Sequence, residues 1–495
     1  MSRRGRYVLG GILLASAAVR VWRLGFFSYG LDEILQGYWV RARTWAWFWK
    51  SLKLDAIHPP LDYLVDRLAA PAIASNELLK LLPVVWGCAT VAAFGVVVAR
   101  RAGETAGLAA AALLALAPYH VRYSQELRPY SLSLLLLCLS LWALDAFLAR
   151  PGAVRLASLY LACLATAYAL YTAAFVLALA AGAMLAEDAF APDGSRRRTA
   201  RRFLLLSPAF GLALWLGYLP WWPVVRDFAS RPPVAAAPPL TLARVGRIVT
   251  FFAFASDDTW RLGAAGALFA LLAAAGLAVA LARRGTRCLA AWGIGGLAGI
   301  EVLGRIHPHY DFVRRFVPAG PGLTALAAVA LAALLARPVT RLAGAALLAA
   351  VLVLDGRGLR VYFLGGRADW RTLADYLRAH ADPSERVFTE NQYAQLCTAY
   401  YLVGPRWLED VETKRPVARD LPNLEGETVR LTWAWRPGAR AWLVLAGEPR
   451  HPELRRWAEA FPGIDFPKAE GAVLRRLDPD RRDASLALIS AAHGP

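Results

Sequence analysis

The stretch from Pro129 to Ala149, PYSLSLLLLCLSLWALDAFLA, decides the class of fold. Its one charged residue is Asp145, close to its end, and an apolar helix of about 20 residues is long enough to cross a bilayer. The rest of the chain has the same character, because 57% of its 495 residues are hydrophobic and only 19% are charged. This composition excludes an ordinary soluble protein and predicts an all-α membrane protein that crosses the bilayer many times.

Similar apolar segments recur along the chain and predict about eleven transmembrane helices. They cover residues 7–27, 80–99, 105–119, 129–149, 154–168, 171–186, 203–222, 262–282, 287–304, 317–336 and 339–355.

The segment from Val154 to Ala186 decides the sidedness, because it is too long for one helix and leaves a tight turn between two. With two helices, six groups of arginines fall on the same side, which the positive-inside rule makes the cytoplasmic side. They lie at residues 3–6, 100–101, 150–155, 196–202, 283–287 and 337–341. The amino terminus is then cytoplasmic and the carboxyl terminus external. The first span has a charged start like a signal peptide, but Arg20 and Trp22 occupy the place of a small-residue cleavage site, so we expect it to stay uncleaved.

This topology assigns to the outer face residues 28–79, 120–128, 223–261, 305–316 and 356–495. Within the first of these segments, Asp32 to Trp49 is typical of an amphipathic helix in the membrane interface, and Leu61 to Ile73 of a shallow or re-entrant helix. We predict a transmembrane domain over residues 1–355, with the outer loop 28–79, and a small α/β domain over 356–495. The predicted elements of the second domain are helices at 370–380, 392–402 and 452–461 and strands at 386–389 and 441–445.

The formal net charge of +19 indicates contact with anionic lipids or phosphorylated substrates at the membrane surface. Nucleic acid is excluded as a partner, because the basic residues are spread between apolar spans. The five cysteines form no disulfide framework or zinc pattern.

Three polar islands lie in the predicted outer segments, namely Leu31-Asp32-Glu33, His58-Pro59-Pro60-Leu61 and the run YSQELRPY from Tyr123 to Tyr130. Carboxylates beside apolar helices indicate a functional site. Sugar transfer from a phosphate-linked donor requires a base for the acceptor hydroxyl and positive charge for the departing phosphate. These islands supply both kinds of group, so we interpret them as a sugar-transfer centre.

Asp32 and Glu33 are the first catalytic candidates. If they begin an interfacial helix, they point about 100° apart, so only one of them faces a given substrate. We favour Asp32 as base or metal-linked carboxylate, with Glu33 in support. The alternative is that both residues only cap that helix.

The second and third islands add one carboxylate and several phosphate or metal contacts. Glu126 is a second catalytic carboxylate and Arg128 a bidentate phosphate ligand, unless the two form a structural ion pair with each other or with Arg122. His58 is held by the two prolines that follow it, either for the site or as a structural hydrogen-bonding group. Arg314 and Arg315 either bind phosphate or extend to the headgroups as ordinary interfacial arginines. His307, His309 and Tyr310 occur in another predicted outer loop. Together with His58 they could bind a divalent metal, but the sequence does not imply one.

The ordered set of motifs resembles the family-39-type glycosyltransferases of the GT-C superfamily, related to protein O-mannosyltransferases and aminoarabinose transferases. The resemblance rests on the three islands and on Arg314-Arg315-Phe316-Val317-Pro318. It departs from the family pattern at Asp62, where tyrosine is commoner, and at Phe316. It implies that Asp32 is the acidic catalytic residue, with Glu33 beside it, that Glu126 belongs to a second acidic motif, and that Arg128 and Arg315 bind phosphate. We also assign substrate binding to His58, Tyr123, Tyr130 and Arg314.

The resemblance also implies a polyprenyl-phosphate-linked sugar donor and inversion at the anomeric carbon. We therefore hypothesise a multi-pass enzyme of a bacterial inner membrane that moves one sugar to a lipid, glycan or protein acceptor at the periplasmic face. One alternative is a transporter or flippase that binds lipid-linked phosphates without chemistry. Another is an inactive scaffold whose external domain binds partners.

Overall fold

The computed structural model describes residues 1–55, 57–73, 75–192, 194–232, 241–254, 264–306, 313–364, 370–382, 384–417, 421, 441–446, 463–465 and 472–477. The predicted helix at 452–461 and the histidine-containing loop with His307, His309 and Tyr310 lie outside these residues. Two compact units are present. The first comprises Met1–Trp22, Lys53–Asp66 and Leu79–Leu364, and the second comprises Arg23–Leu52, Arg67–Leu78 and Gly365–Pro495.

The described chain is mostly α-helical. In chain order the helices are α1 (Arg3–Val21), α2 (Leu31–Val40), α3 (Trp45–Asp55), α4 (Leu61–Ala69), α5 (Asn76–Leu79), α6 (Leu81–Ala102), α7 (Glu104–Leu116), α8 (Pro118–Tyr123), α9 (Tyr130–Ala149), α10 (Ala153–Ala169), α11 (Tyr171–Ala189), α12 (Gly194–Tyr218), α13 (Trp222–Ser230), α14 (Leu242–Phe254), α15 (Ala264–Ala282), α16 (Arg287–Ala290), α17 (Gly296–Ile306), α18 (Gly320–Ala336), α19 (Arg341–Leu364), α20 (Trp370–His380), α21 (Gln392–Leu402) and α22 (Trp407–Glu412). A π-helical turn joins α16 to α17, and 3₁₀ segments precede α18 and α19.

The predicted transmembrane character of the first unit is confirmed. Seven helical stretches of the described residues are long and apolar enough to cross a bilayer, and α12 with α13 forms an eighth candidate bent by 85°. The seven are Glu77–Ala102, Tyr130–Ala149, Tyr171–Ala189, Ala265–Ala282, Arg287–Arg305, Val313–Ala336 and Pro338–Leu364. The remaining predicted spans coincide with α1, α7 and α10. Of these, α7 and α10 are apolar but shorter than 18 residues.

The two-helix interpretation of residues 154–186 is correct. Helix α10 ends at Ala169 and α11 begins at Tyr171, so the turn consists of Leu170 alone, in extended conformation. A second sharp turn separates α6 from α7 at Gly103, whose φ of 99° lies in the region that glycine enters without steric cost.

Several of the arginine-containing segments that the topology placed on one side do gather at one end of the helices. Asp145 on α9 pairs with Arg100 and Arg101 at the end of α6 and with Arg196 on α12. Glu187 on α11 accepts hydrogen bonds from the backbone N–H groups of residues 285, 287 and 288. Ser2 donates from its backbone and its hydroxyl to Glu104, at 2.6 Å each, which brings the amino terminus to the same end.

The outer loop 28–79 differs in detail from its prediction. The segment from Asp32 to Trp49 is divided between two helices, since α2 ends at Val40 and α3 begins at Trp45. The apolar stretch from Leu61 continues as a helix only to Ala69, so α4 has nine residues, far fewer than a bilayer crossing needs.

The carboxyl-terminal part of the chain forms a small α/β structure in the second unit, as predicted. Strands β1 (Arg386–Thr389), β2 (Ala441–Ala446), β3 (Gly463–Asp465) and β4 (Ala472–Leu477) form one sheet in the order β1-β2-β4-β3. β1 runs parallel to β2, while β4 is antiparallel to both of its neighbours. The predicted helices at 370–380 and 392–402 are α20 and α21.

Candidate functional site

The nine predicted site residues divide between the two units. His58, Tyr123, Glu126, Arg128, Tyr130, Arg314 and Arg315 belong to the first unit, and Asp32 and Glu33 belong to the second.

The loop from Ser124 to Pro129 carries Glu126 and Arg128 between two helices. Helix α8 begins with Pro118, which suits a first helical turn because its missing N–H is not needed there. Helix α9 begins at Tyr130, one residue after the predicted start at Pro129. The ring centroids of Tyr123 and Tyr130 lie 4.5 Å apart. These two predicted substrate-binding residues therefore pack against each other at the two ends of the loop.

His58 lies beside this loop. Its ring contacts Tyr130 edge to face, with centroids 6.0 Å apart. Burial and the positive charges of Arg128 and Arg314 hold the pKa of His58 well below its usual range. The structure therefore brings together five of the predicted substrate-binding residues and keeps the imidazole neutral at physiological pH.

Glu126 and Arg128 are both largely buried, at 8% and 6% exposed. Glu126 accepts a hydrogen bond from Arg122 at 2.8 Å, which is the structural ion pair that the sequence left open. The backbone N–H of Arg128 donates to the carbonyl oxygen of Glu126 at 2.8 Å and tightens the loop between them. Glu126 therefore stabilises the loop through its contacts with Arg122 and with the backbone of Arg128.

Arg315 is joined to a cluster around Glu301. The carboxylate of Glu301 accepts hydrogen bonds from Arg315 at 3.0 Å, Arg244 at 3.1 Å and Arg305 at 3.2 Å. Sequence reasoning had not selected Arg244, which is 5% exposed. The available signal was Glu301, an acidic residue inside an apolar segment, because such a charge requires cationic partners.

Asp32 and Glu33 occupy the first turn of α2, where carboxylates interact favourably with the helix dipole. Glu33 accepts a hydrogen bond from the backbone N–H of Gly30 at 3.1 Å, so it caps the helix, as the alternative interpretation stated. Asp32 is half-buried, and its charge adds to burial in raising the pKa of the Cys397 thiol.

No group of three or more histidine, cysteine, aspartate or glutamate side chains suited to a metal ion occurs within the part of the chain that the structure describes.

Comparison with known proteins connects this architecture to solved structures. No family model matches the sequence, and no curated protein matches it. The structure of ArnT from Cupriavidus metallidurans bound to undecaprenyl phosphate is similar over 96% of this chain and 98% of its own, with a TM-score of 0.56 and 14% identity. ArnT in the apo state gives a TM-score of 0.51, again at 14% identity, over 86% and 88% of the two chains.

An oligosaccharyltransferase from Archaeoglobus fulgidus is also similar, with a TM-score of 0.52 and 12% identity over 80% of this chain and 64% of its own. ArnT is an aminoarabinose transferase, and both proteins belong to the GT-C superfamily. At these identities the likeness concerns the fold, and it agrees with the motif order noted in the sequence. The chain has the fold of the GT-C membrane glycosyltransferases.

Proposed function

We propose that this protein is an integral membrane glycosyltransferase that moves one sugar from a polyprenyl-phosphate donor to a lipid, glycan or protein acceptor at the periplasmic face of a bacterial inner membrane. The observation that carries the proposal is the cluster in the first unit, where Arg128 and Arg314 act on a neutral His58 beside the Tyr123–Tyr130 pair. Two guanidinium groups beside aromatic rings suit a sugar linked to phosphate.

Each group has a distinct role in the proposed reaction. The acceptor oxygen forms a bond to the anomeric carbon while the bond from that carbon to the phosphate oxygen breaks, and its electron pair leaves with the polyprenyl phosphate. Asp32 takes the proton of the acceptor hydroxyl. Arg128 and Arg314 stabilise the charge that develops on the phosphate, with Arg315 in support. Attack opposite the departing phosphate inverts the anomeric centre.

The remaining predicted residues position these groups. Tyr123, Tyr130 and His58 contact the donor, Glu126 orients the loop through Arg122, and Glu33 supports Asp32 through the start of α2. The neighbour ArnT has a structure with undecaprenyl phosphate bound, which supports a long-chain lipid phosphate as part of the donor.

A transfer assay in proteoliposomes tests the proposal. The purified protein receives undecaprenyl phosphate carrying a radiolabelled sugar, together with an extract of envelope lipids and glycans as acceptors. We expect release of free undecaprenyl phosphate and movement of the label to an acceptor. We expect Arg128→Ala to lower the rate at least about 100-fold, because a charged group that stabilises the leaving phosphate is lost.

Arg341→Ala serves as the matched control, since Arg341 is an exposed arginine at the start of α19. Donor that changes leaflet but stays intact would identify a flippase and refute the enzyme. Full activity of Arg128→Ala would refute its assignment to the phosphate.

A further inference from the structure

Arg20 is an arginine inside the apolar helix α1, and its side chain is completely buried. All of its polar partners are neutral: it donates to the carbonyl and hydroxyl of Ser16, to the carbonyl oxygens of Leu114 and Ala115, to the hydroxyl of Ser124 and to the ring of His120. No carboxylate pairs with it among the described residues. A buried cation held only by neutral acceptors is costly, so its retention requires an explanation.

The break between α7 and α8 supplies part of that explanation. In a continuous helix the N–H of residue 118 bonds the carbonyl of Leu114, but Pro118 has no N–H. Pro118 therefore leaves the carbonyl of Leu114 without its helical donor, and the break after Leu116 leaves the carbonyl of Ala115 at the end of α7. Arg20 donates to the carbonyl oxygen of Ala115 at 2.8 Å and lies 3.5 Å from that of Leu114, so its guanidinium supplies a donor at the end of α7.

The same side chain reaches the residues that lead into the Glu126–Arg128 loop. Its Nε donates to the Ser124 hydroxyl at 3.1 Å, and that hydroxyl donates to the carbonyl oxygen of His120 at 2.6 Å. Gln125 donates to the backbone carbonyls of Arg20 and Trp22 at 2.8 and 2.9 Å, and its own side-chain oxygen accepts from Tyr362 at 3.0 Å. Residues 124 and 125 are thus fixed to α1 immediately before Glu126.

His120 completes the arrangement. Its Nδ1 lies 2.5 Å from Nη2 of Arg20, and because a guanidinium only donates, this contact requires a neutral ring that accepts at Nδ1. Burial and the charge of Arg20 hold the pKa of His120 well below its usual range, which agrees with this neutral form.

Helix α6 passes close to the same point. A Cβ atom added at Gly87 would collide with the Ser124 side chain and approach Nε of Arg20 to 3.1 Å. Only glycine therefore lets α6 pack against the pair formed by Arg20 and Ser124.

We infer that Arg20 is a positioning residue of the transfer reaction, which holds the loop from Ser124 to Pro129 in the shape that presents Arg128 to the donor phosphate. The inference rests on the proposed function, because it concerns the same phosphate. It assigns to Arg20 no contact with the substrate.

The test measures the dissociation constant of undecaprenyl phosphate, with the rate of sugar transfer and the thermal stability in detergent measured alongside. Arg20→Lys keeps the positive charge but loses the five N–H donors of the guanidinium group. Gly87→Ala displaces the side chain of Ser124 from Arg20. We expect each to weaken lipid-phosphate binding about tenfold or more. The controls are Arg4→Lys, at an exposed arginine, and Gly11→Ala, where an added Cβ meets nothing within 4 Å.

A double-mutant cycle separates positioning from general stabilisation. If Arg20 acts through Arg128, Arg20→Lys adds little loss of binding in an Arg128→Ala background. Equal losses in both backgrounds, or unchanged binding by Arg20→Lys and Gly87→Ala, would overturn the inference. A wild-type protein that binds the lipid phosphate but transfers no sugar would refute the proposed enzyme, while the cycle would still decide the role of Arg20. A wild-type protein that binds no lipid phosphate would refute both.

Discussion

His58 shows at the scale of one residue how the surroundings set the chemistry. Its ring contacts Tyr130, and burial and the positive charges of Arg128 and Arg314 lower its pKa because they disfavour a third positive charge. The imidazole is therefore suited to accept or donate one hydrogen bond rather than to act as a cation. A donor phosphate beside the arginines would weaken this opposition, so ligand binding and the protonation of His58 are coupled.

The lowered pKa of His58 predicts a pH-dependent stability. Below pH of about 6.5 the unfolded chain takes up a proton at His58 that the folded chain does not, so acid shifts the equilibrium toward unfolding. In His58→Gln this contribution is absent, and we expect its melting temperature to fall less than that of the wild type between pH 8 and pH 5.5. Thermal melts in detergent without donor measure this difference. His380→Gln, at an exposed histidine, is the control, and parallel curves for His58→Gln and the wild type would contradict the assignment.

Asp32 carries the prediction about catalysis. Asp32→Asn keeps the size of the side chain but removes the base, so we expect sugar transfer to fall at least about 100-fold with little change in donor binding. Asp375→Asn, which alters an exposed pair with Arg378 in the same unit, should leave transfer unchanged. Transfer rates and donor affinity of the two variants are compared in proteoliposomes. Wild-type turnover by Asp32→Asn would remove the residue from the mechanism.

At the scale of elements, the ends of α6, α9, α11 and α12 are joined by one ionic network. Asp145 pairs with Arg100 at 2.5 Å, with Arg101 at 3.4 Å and with Arg196, and Asp188 pairs with the last two of these. The side chains of Asp145 and Arg101 are 6% and 5% exposed, so this pair is poorly screened by water and salt, whereas Arg100 and Arg196 are partly exposed. The network also explains why an aspartate is tolerated near the end of the apolar helix α9.

Removing this carboxylate should destabilise the helix ends. We expect Asp145→Asn to cost about 3 kcal/mol of unfolding free energy, because three arginines lose a buried partner. Asp227→Asn breaks an exposed pair with Arg231 and should cost less than about 1 kcal/mol. Denaturation of both variants in the same detergent gives the comparison, and equal losses would show that burial of the network contributes nothing.

At the scale of the whole molecule, the proposed orientation follows from the shared end of the arginine clusters. The amino terminus lies at that end through the contacts of Ser2 with Glu104, while the loop with Glu126 and Arg128 begins α9 at the end away from Asp145. If the arginine end is cytoplasmic, the loop is periplasmic.

Reporter fusions test this orientation. Alkaline phosphatase fused after Pro495 should be active and a fluorescent protein at the same position dark, because only an external carboxyl terminus permits the enzyme to mature. A fusion ending after Arg196 should give the opposite result, since that residue lies at the arginine end. An inactive phosphatase at Pro495 would reverse the proposed orientation of the protein.

The sequence by itself determined the membrane class, the approximate positions of the apolar helices and the presence of a tight turn between two helices within residues 154–186, because hydrophobic length and arginine placement are local properties of the chain. It also identified the loop with Glu126 and Arg128, since polar residues between apolar helices stand out. It left open whether Glu33 and Glu126 were structural, and it predicted one interfacial helix where α2 and α3 form.

Only the tertiary structure showed that Glu126 pairs with Arg122, that Glu301 pairs with three arginines and that Arg20 donates to the end of α7 beside the break at Pro118. These contacts join residues that are in part far apart along the chain, and the hydropathy of a segment carries no information on which distant side chain meets it. A charged residue in an apolar helix indicates that a polar partner exists, but only the packing of the helices determines which residue is that partner.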